Sequence, residues 1–273
     1  MMLKKFLFSA IRMEGWPKLF RRNSIMQEPR VLLNPDHRMM VVWSPKSACT
    51  TVFVWFANTI GKIEDMKGYK WPHEYRSEAY YKSDLHLRGL KLAPRNYRIV
   101  RVIRDPYFRA ASIYRHALKT RLDEDHLKAA SPPLDRRTGF SFMQFLDYIE
   151  TLQLDSANVH IRPQFHPVEA ELRPEFVINI SRQDLFTELN KVEEAFALPR
   201  TDFHSLNWLH READRKAKPG AFGGNEADVV PFDRLAARGQ KPWPTYEQLL
   251  TPRARARIET LYARDFEAYA DHL

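Results

Sequence analysis

Cysteine is almost absent from this chain, since Cys49 is the only one among 273 residues. A single cysteine excludes an intrachain disulfide, which favours a reducing compartment or indifference to redox conditions. One thiol and ten scattered histidines also argue against a zinc site. We therefore predict a protein that needs neither a disulfide framework nor a metal.

Long apolar runs are lacking as well. The most apolar N-terminal stretch, residues 6–11, is interrupted by Ser9 and is too short to span a bilayer. A signal peptide would need a longer apolar region and a small-residue cleavage site. We expect residues 1–30 to form a basic arm that can touch a membrane peripherally without a transmembrane anchor. We expect residues 31–273 to form one domain, and the location to be cytoplasmic.

Acidic residues are in deficit. Lys and Arg number 43 against 34 Asp and Glu, which gives a net charge of +9 and a pI near 9.6. A basic balance suits an anionic partner without saying which one. An anionic small molecule, an acidic glycan, nucleic acid and a membrane surface all remain open on composition alone.

Glycine is missing where a nucleotide-binding loop would need it. The apolar run Met39–Trp43 predicts a buried strand, and 44–50 (SPKSACT) predicts a tight loop around one lysine. From Thr51 the apolar spacing predicts a buried helix that ends at Gly61. No glycine occurs between Met39 and Ile60, so the loop does not match G-x-x-x-x-G-K-[ST].

The same loop has the chemistry of an anion site. It lies at the carboxyl end of a predicted strand, where open α/β sheets place ligands. The N-terminus of the following helix offers unpaired N–H groups and a partial positive charge. Lys46 adds a full charge, and Ser47, Thr50 and Thr51 add hydroxyl donors.

A second strand-to-helix junction lies in 97–118 (YRIVRVIRDPYFRAASIYRHAL). Ile99–Ile103 predicts a strand, and Pro106 suits the first turn of the helix that follows. Arg104 at the strand end and Ser112 two helical turns on can both reach one phosphate. Arginine suits that role because its planar fork pairs phosphate oxygens bidentately.

Capping residues and apolar spacing predict the other regular elements. Ser141, Asp184 and Thr251 each precede an apolar pattern of helical period and are expected to be N-caps. Residues 176–180 (FVINI) predict another strand.

Four segments together resemble one enzyme family. P-K-S-A-C-T-T at 45–51 and R-D-P-x-x-R-x-x-S at 104–112 resemble the donor-binding motifs of sulfotransferases that use 3′-phosphoadenosine-5′-phosphosulfate (PAPS). NVHIRPQ at 158–164 and LYARDFEAY at 261–269 are similar to segments of the Golgi carbohydrate and heparan sulfate 2-O-sulfotransferase branch. Ile161 departs from that pattern, which usually has tryptophan there. Without a membrane anchor, the chain resembles a soluble, bacterial-type member.

The resemblance implies a fold and a reaction. The fold would be α/β, a three-layer αβα arrangement around a central parallel sheet, like that of P-loop NTPases. The reaction would be of the EC 2.8.2 type, an in-line sulfuryl transfer from PAPS to a hydroxyl of a carbohydrate or glycoconjugate, releasing 3′-phosphoadenosine-5′-phosphate (PAP). No metal and no nucleic-acid partner are expected.

The resemblance also assigns residues. Lys46 would stabilise the leaving phosphate, and His86 would be the base, as the histidine that precedes the R-D-P strand in the 2-O-sulfotransferase branch. His160 is the reserve candidate for the base, and His73 is a further one. The expected donor-binding residues are Lys46, Ser47, Ala48, Cys49, Thr50, Thr51, Arg104 and Ser112, with Arg215, Lys216 and Lys218 from a late basic loop. The expected acceptor-binding residues are His160, Arg162 and Gln164.

Two other functions stay open on the sequence. A nucleotide kinase or NTPase on the same sheet could use Ser47 to bind magnesium, but it would need the missing glycines. A non-catalytic binder of anionic polymers explains the charge equally well. It gives no reason for the R-D-P-x-x-R-x-x-S pattern.

Overall fold

The computed structural model describes residues 22–92, 94–206 and 227–273. Its centre is a four-stranded sheet in the order β1-β2-β3-β4. The strands are β1 Leu32–Asn34, β2 Met39–Val42, β3 Arg98–Ile103 and β4 Phe176–Asn179. Strands β2, β3 and β4 run parallel, with Val41 opposite Val100 and Val102 opposite Ile178. Strand β1 pairs antiparallel with β2 at the edge.

Thirteen α-helices lie in the described ranges. In chain order they are α1 Arg22–Met26, α2 Cys49–Thr59, α3 Ile63–Lys67, α4 Pro72–Glu78, α5 Asp84–Lys91, α6 Pro106–Lys119, α7 Glu124–Ala129, α8 Phe142–Glu150, α9 Leu185–Ala195, α10 Arg234–Ala237, α11 Tyr246–Leu249, α12 Pro252–Leu261 and α13 Ala263–Ala268. Short 3₁₀ turns lie at Tyr80–Lys82, Pro94–Asn96, Leu154–Ser156, Pro167–Ala170 and Ala270–His272.

The sheet is buried on both faces. Successive side chains of a strand point to opposite faces, so Met39 and Val41 join the core cluster that contains α2 and α9. Met40 and Val42 join a separate cluster with residues such as Val168 on the other side. Apolar burial on both faces explains why β2 is a continuous apolar run, and it confirms the predicted α/β class.

Strand β1 was not predicted from the sequence. It has only three residues, too few to show an alternating pattern, and its partner comes from a later segment. The hydroxyl of Tyr80 accepts a hydrogen bond from the Leu33 N–H (2.7 Å) and donates one to the Leu33 carbonyl (3.0 Å). Both backbone groups on the open edge of β1 are therefore satisfied by a side chain, which protects that edge.

Helix α2 begins at Cys49, two residues before the predicted start, and its C-terminal end is as predicted. Gly61 adopts a left-handed φ of 67°. Its N–H bonds the Asn58 carbonyl (3.0 Å), and the Lys62 N–H bonds the Ala57 carbonyl (2.7 Å). This pair of bonds is a Schellman motif, which satisfies the last carbonyls of the helix.

The predicted N-caps are confirmed. Ser141 accepts from the Gln144 N–H, and the Gln144 side chain bonds back to the Ser141 backbone. Asp184 caps α9 and Thr251 caps α12. The helix that Thr251 caps ends at Leu261, and α13 begins directly after Tyr262.

No helix in the described ranges is long and apolar enough to cross a bilayer. Most of the predicted basic arm, residues 1–21, lies outside the described residues. The late basic loop with Arg215, Lys216 and Lys218 also lies outside them.

Candidate functional site

The Lys46 loop follows β2 directly and turns sharply into α2. Lys46 has φ 70° and Ala48 has φ 55°, both left-handed values that non-glycine residues seldom adopt. The Ser47 N–H closes the turn on the Ser44 carbonyl (3.3 Å), and the first bond into the helix is from the Val52 N–H to the Ala48 carbonyl (3.0 Å). The N–H groups just before Val52 thus precede the first intrahelical bond, which is the backbone geometry of an anion site.

Arg104 reaches this loop from the end of β3. One guanidinium nitrogen donates to the Lys46 carbonyl (3.3 Å), and the other donates to the Tyr246 hydroxyl (3.0 Å). Ser112 is half-buried, two turns into α6. The two segments that the sequence assigned to the two phosphates of one donor are thus in direct contact at Lys46 and Arg104.

Arg109, the second arginine of the R-D-P segment, is buried and bonded to backbone. It donates to the carbonyls of Pro45 (3.2 Å), His160 (3.1 Å) and Arg162 (2.8 Å), and its side chain is almost fully enclosed. Because its guanidinium bonds three backbone carbonyls, Arg109 connects the Lys46 loop to the 158–164 segment.

Gln164 connects the two junctions through its side-chain amide. Its Oε1 accepts from the Ser47 hydroxyl (2.9 Å) and from the Arg104 N–H (2.9 Å), and its Nε2 donates to the Arg104 carbonyl (2.7 Å). Gln164 is only 3% exposed. The sequence assigned it to the acceptor, whereas the structure places its polar atoms between the two donor-binding segments.

Buried charged side chains bond the backbone around Gln164 and its neighbours. Asp265, from the Y-x-x-D-F-E segment, accepts from the N–H groups of Gln164 (2.8 Å) and Phe165 (2.9 Å). Arg101 on β3 pairs with Glu169 (3.1 Å) and also donates to the Ser44 hydroxyl (2.9 Å). The last two sequence motifs therefore support the first two rather than adding separate sites.

Three histidines lie within the electrostatic field of Lys46. Burial, followed by the charge of Arg76, lowers the pKa of His73 to about 3. Burial and the Lys46 charge lower the pKa of His116 to about 3 and that of His160 to about 4. All three rings are neutral at pH 7, and those of His116 and His160 stack with centroids 4.9 Å apart.

Hydrogen bonds distinguish two of these rings. The Nδ1 of His160 lies 3.0 Å from the Asn158 Oδ1, which also accepts the His160 N–H, so Nδ1 carries the proton and Nε2 keeps its lone pair. The His73 Nδ1 accepts from Arg76 (2.9 Å), so its Nε2 carries the proton and donates to the Thr50 hydroxyl (3.0 Å). His160 therefore has a nitrogen suited to accept a proton, whereas both nitrogens of His73 are committed.

His86, the residue that the resemblance implies as the base, is buried among aromatic rings. It is 2% exposed and packs between the rings of Tyr80 and Tyr81. Its Nδ1 lies 3.3 Å from the Tyr80 hydroxyl, while Nε2 is buried without a hydrogen-bond partner among the described residues. Burial, followed by the charge of Arg30, lowers its pKa to about 4. The structure places it in the aromatic layer over β1, enclosed from an incoming acceptor.

The other predicted residues divide by their contacts. The Ser47 side chain is fully buried and bonded to Gln164, so only its backbone is left for a ligand. The Thr50 hydroxyl is held by His73, and the Cys49 sulfur lies 3.8 Å from the same ring nitrogen. Ala48 and Thr51 are half-buried beside them. Arg162 donates to the Ala157 carbonyl (2.6 Å).

A polar cavity of about 500 Å³ opens at the C-terminal end of α6 and is lined by Lys119, Thr120, Arg238 and Gln240. Lys119 lies three residues after His116 on α6, and its charge contributes to the lowered pKa of His116. Two cations, a hydroxyl and an amide give it hydrogen-bonding groups that suit a hydroxyl-rich or anionic ligand.

Two residues of this region were not predicted. His116 stacks on His160, but its position after R-D-P-x-x-R-x-x-S-x-Y reads as an ordinary helix residue. Tyr246 meets Arg104 from an element 142 residues further along the chain. No local motif signals either contact.

Comparison with known proteins gives one match. The model of a family described as "Sulfotransferase family" matches residues 29–270, which covers both junctions, the 158–164 segment and Asp265. Searches of curated proteins and of solved structures found no match.

Proposed function

The chain belongs to the sulfotransferase family, and from this premise we propose that it moves a sulfuryl group from PAPS to a hydroxyl of a carbohydrate or glycoconjugate. One observation carries the choice of donor: Arg104 touches the backbone of Lys46 (3.3 Å), so one ligand with two phosphate groups can bridge both junctions. PAP and PAPS have that arrangement, with a 5′ and a 3′ phosphate.

The residues around the site fit such an anion. Lys46, Arg76 and Arg109 all act to lower histidine pKa values here, so the loop lies in a positive potential. The backbone of Ser47, Ala48, Cys49, Thr50 and Thr51 would hold the 5′ end, and Arg104 with Ser112 would hold the 3′-phosphate. PAPS supplies an activated sulfuryl group on a phosphate leaving group.

Lys46 has the central role in the proposed mechanism. Negative charge grows on the bridging oxygen as the sulfuryl group departs, and a cation held there stabilises the transition state more than the ground state. Its left-handed backbone lies within the turn that the Ser47 N–H closes, just before α2, and this turn forms without a glycine.

We assign the base role to His160 in preference to His86. The acceptor hydroxyl must lose a proton as the sulfuryl group arrives, and a neutral imidazole with a free lone pair can take it. Asn158 fixes the tautomer of His160 that has this lone pair on Nε2. Because the anionic donor counteracts the charge of Lys46, binding raises the pKa of His160 and makes it a stronger base.

The acceptor proposal rests on the polar cavity at the end of α6. Its Lys119 and Arg238 suit a carbohydrate that carries hydroxyl and acidic groups. We also propose a cytoplasmic location with no need for a metal. The basic balance alone does not favour a kinase or a polymer binder over the family's reaction.

The direct test is donor selectivity followed by turnover. Thermal unfolding with PAP at a hundredfold excess over its Kd is expected to show about 2.7 kcal/mol of stabilisation, and ATP with Mg²⁺ much less. Purified protein with ³⁵S-labelled PAPS should then label acidic polysaccharides in a panel that also holds neutral glycans, glycolipids and protein. Equal stabilisation by ATP–Mg²⁺ would favour the nucleotide-kinase alternative, and label on protein alone would reject the carbohydrate acceptor.

A further inference from the structure

Gln164 is the point where the two donor-binding segments meet. Ser47 belongs to the turn after β2, and Arg104 belongs to the end of β3. These positions are 57 residues apart in the chain, and each lies within 3 Å of a polar atom of the same amide. The described hydrogen bonds of this side-chain amide are therefore made to the two donor-binding segments.

Three bonds fix the relative position of the two segments. Strand pairing already sets β2 against β3, with Val42 opposite Arg101, but it ends before the loops. Beyond Val42, none of the described strands pairs with the backbone of Arg104 on the β2 side, and the Gln164 amide takes the place of a strand partner. It pairs both the N–H and the carbonyl of Arg104, as a neighbouring strand residue would.

The amide is itself held rigidly. Asp265 accepts from the Gln164 N–H (2.8 Å), and the Arg101 guanidinium donates to the Gln164 carbonyl. Backbone and side chain are both bonded and the residue is 3% exposed, so the amide has little freedom to move. A residue held in this way can keep the distance between the two loops constant.

We propose that Gln164 is a positioning residue that sets the spacing between the 5′-phosphosulfate loop and the 3′-phosphate arginine. This positioning role rests on the proposed function, because the two phosphates belong to PAPS. Its consequence is selectivity: a ligand with both phosphates gains from the fixed spacing, and a ligand with the 5′-phosphate alone gains little.

The test substitutes the amide by a side chain of similar length without hydrogen bonds. Gln164→Met should weaken PAP binding by at least about tenfold and AMP binding by less than about threefold, so the preference for PAP shrinks. The matched control is Gln144→Met, which removes a side-chain-to-backbone bond from the capping box of α8 and should leave the ratio of PAP to AMP affinity unchanged. If Gln164→Met does not fold, Gln164→Glu, which keeps both acceptor bonds, is tested in the same way.

Two further readouts separate positioning from general damage. In the double variant Gln164→Met/Arg104→Ala, the loss of PAP affinity should be less than the product of the single losses, because Gln164 acts through Arg104. Without ligand, hydrogen exchange in Gln164→Met should accelerate in residues 44–50 and 101–106, and not in α8.

The outcomes have distinct meanings. An unchanged ratio of PAP to AMP affinity in Gln164→Met, or exchange that accelerates everywhere alike, would overturn the positioning role. If the wild-type protein does not bind PAP, the proposed donor is wrong. The ligand-free exchange experiment then still decides whether Gln164 holds the two segments together.

Discussion

At the scale of single residues, the loop between β2 and α2 forms a sharp turn without glycine. Lys46 and Ala48 adopt the left-handed backbone that glycine would adopt without cost. The strain is tolerated because Ser47, between them, is fully buried and bonded to Gln164. The loop is therefore held at its middle residue, just before the N-terminus of α2.

We predict that Lys46→Ala lowers kcat by roughly 10²–10³, the usual loss for one group that stabilises developing charge. Alanine keeps the β-carbon, so the backbone strain at φ 70° is the same and the melting temperature should hardly change. Single-turnover assays with labelled PAPS measure the effect. The control is Lys67→Ala on α3, an exposed lysine paired with Glu64. Turnover near the wild-type rate would remove Lys46 from the mechanism.

Arg104→Ala should distinguish PAP from AMP. The variant loses a charge-assisted contact to the 3′-phosphate, worth on the order of 1.5–3 kcal/mol, which AMP never makes. Calorimetric titration with both ligands checks this. The exposed Arg88, which pairs with Asp36, provides the matched control Arg88→Ala. Equal losses for the two ligands would show that Arg104 does not bind the 3′-phosphate.

The base is identified by three parallel variants. His160→Ala should lower kcat by roughly 10²–10⁴ with PAP affinity unchanged, because base catalysis acts in the transition state. His73→Ala should chiefly disturb the Thr50 hydroxyl and hence donor binding. His86→Ala should cost stability through its ring contacts with Tyr80 and Tyr81. A loss of kcat in His86→Ala alone would return the base role to the residue that the sequence favoured.

At the scale of elements, local chemistry fixes where helices begin and end. A capping side chain, or a glycine such as Gly61, interacts with backbone groups only a few residues away in the chain. The sequence therefore predicts α6, α8 and α9 well. Strand β1 escapes prediction because its identity comes from pairing with β2 and from the distant Tyr80 hydroxyl. Such contacts leave no local pattern.

Gly61→Ala tests the C-terminal end of α2. At φ 67° an added β-carbon meets no atom within 4 Å, so only backbone strain opposes it, and the free energy of unfolding should fall by about 1–2 kcal/mol. Gly68→Ala is the matched control, since Gly68 has an ordinary φ of −69°. Urea unfolding measures both. An equal effect at the two positions would contradict a requirement for the left-handed conformation at Gly61.

At the scale of the whole molecule, segments far apart in sequence form one site. The strand–loop–helix form of the segments around 45–51 and 104–112 could be predicted, because each segment carries its own apolar strand, polar loop and helical pattern. The link between them could not, because Gln164 and Asp265 act through tertiary contacts that span 60 and 101 residues. The same reason hides the His116–His160 stack, whose members lie on separate elements.

The buried histidines should also make stability depend on pH. Burial is the main cause that lowers the pKa of His86 and of His166 to about 4 in the folded protein, against about 6.5 in the unfolded chain. Below pH 6.5 the unfolded chain therefore binds more protons than the folded one. The stabilisation is complete above pH 6.5 and is lost as the pH falls toward 4, by roughly 1.4 kcal/mol per pH unit for each residue.

Urea unfolding between pH 7.5 and 5 measures this slope, and His86→Phe isolates one contribution. Phenylalanine keeps the packing against Tyr80 and Tyr81 and cannot be protonated, so the free energy of unfolding should fall less steeply with acidification. The difference between the two slopes should approach the contribution of one residue. His204→Phe, at an exposed position, is the control for the effect of the substitution itself. A slope in His86→Phe identical to that of the wild-type protein would mean that His86 does not stay neutral in the folded state.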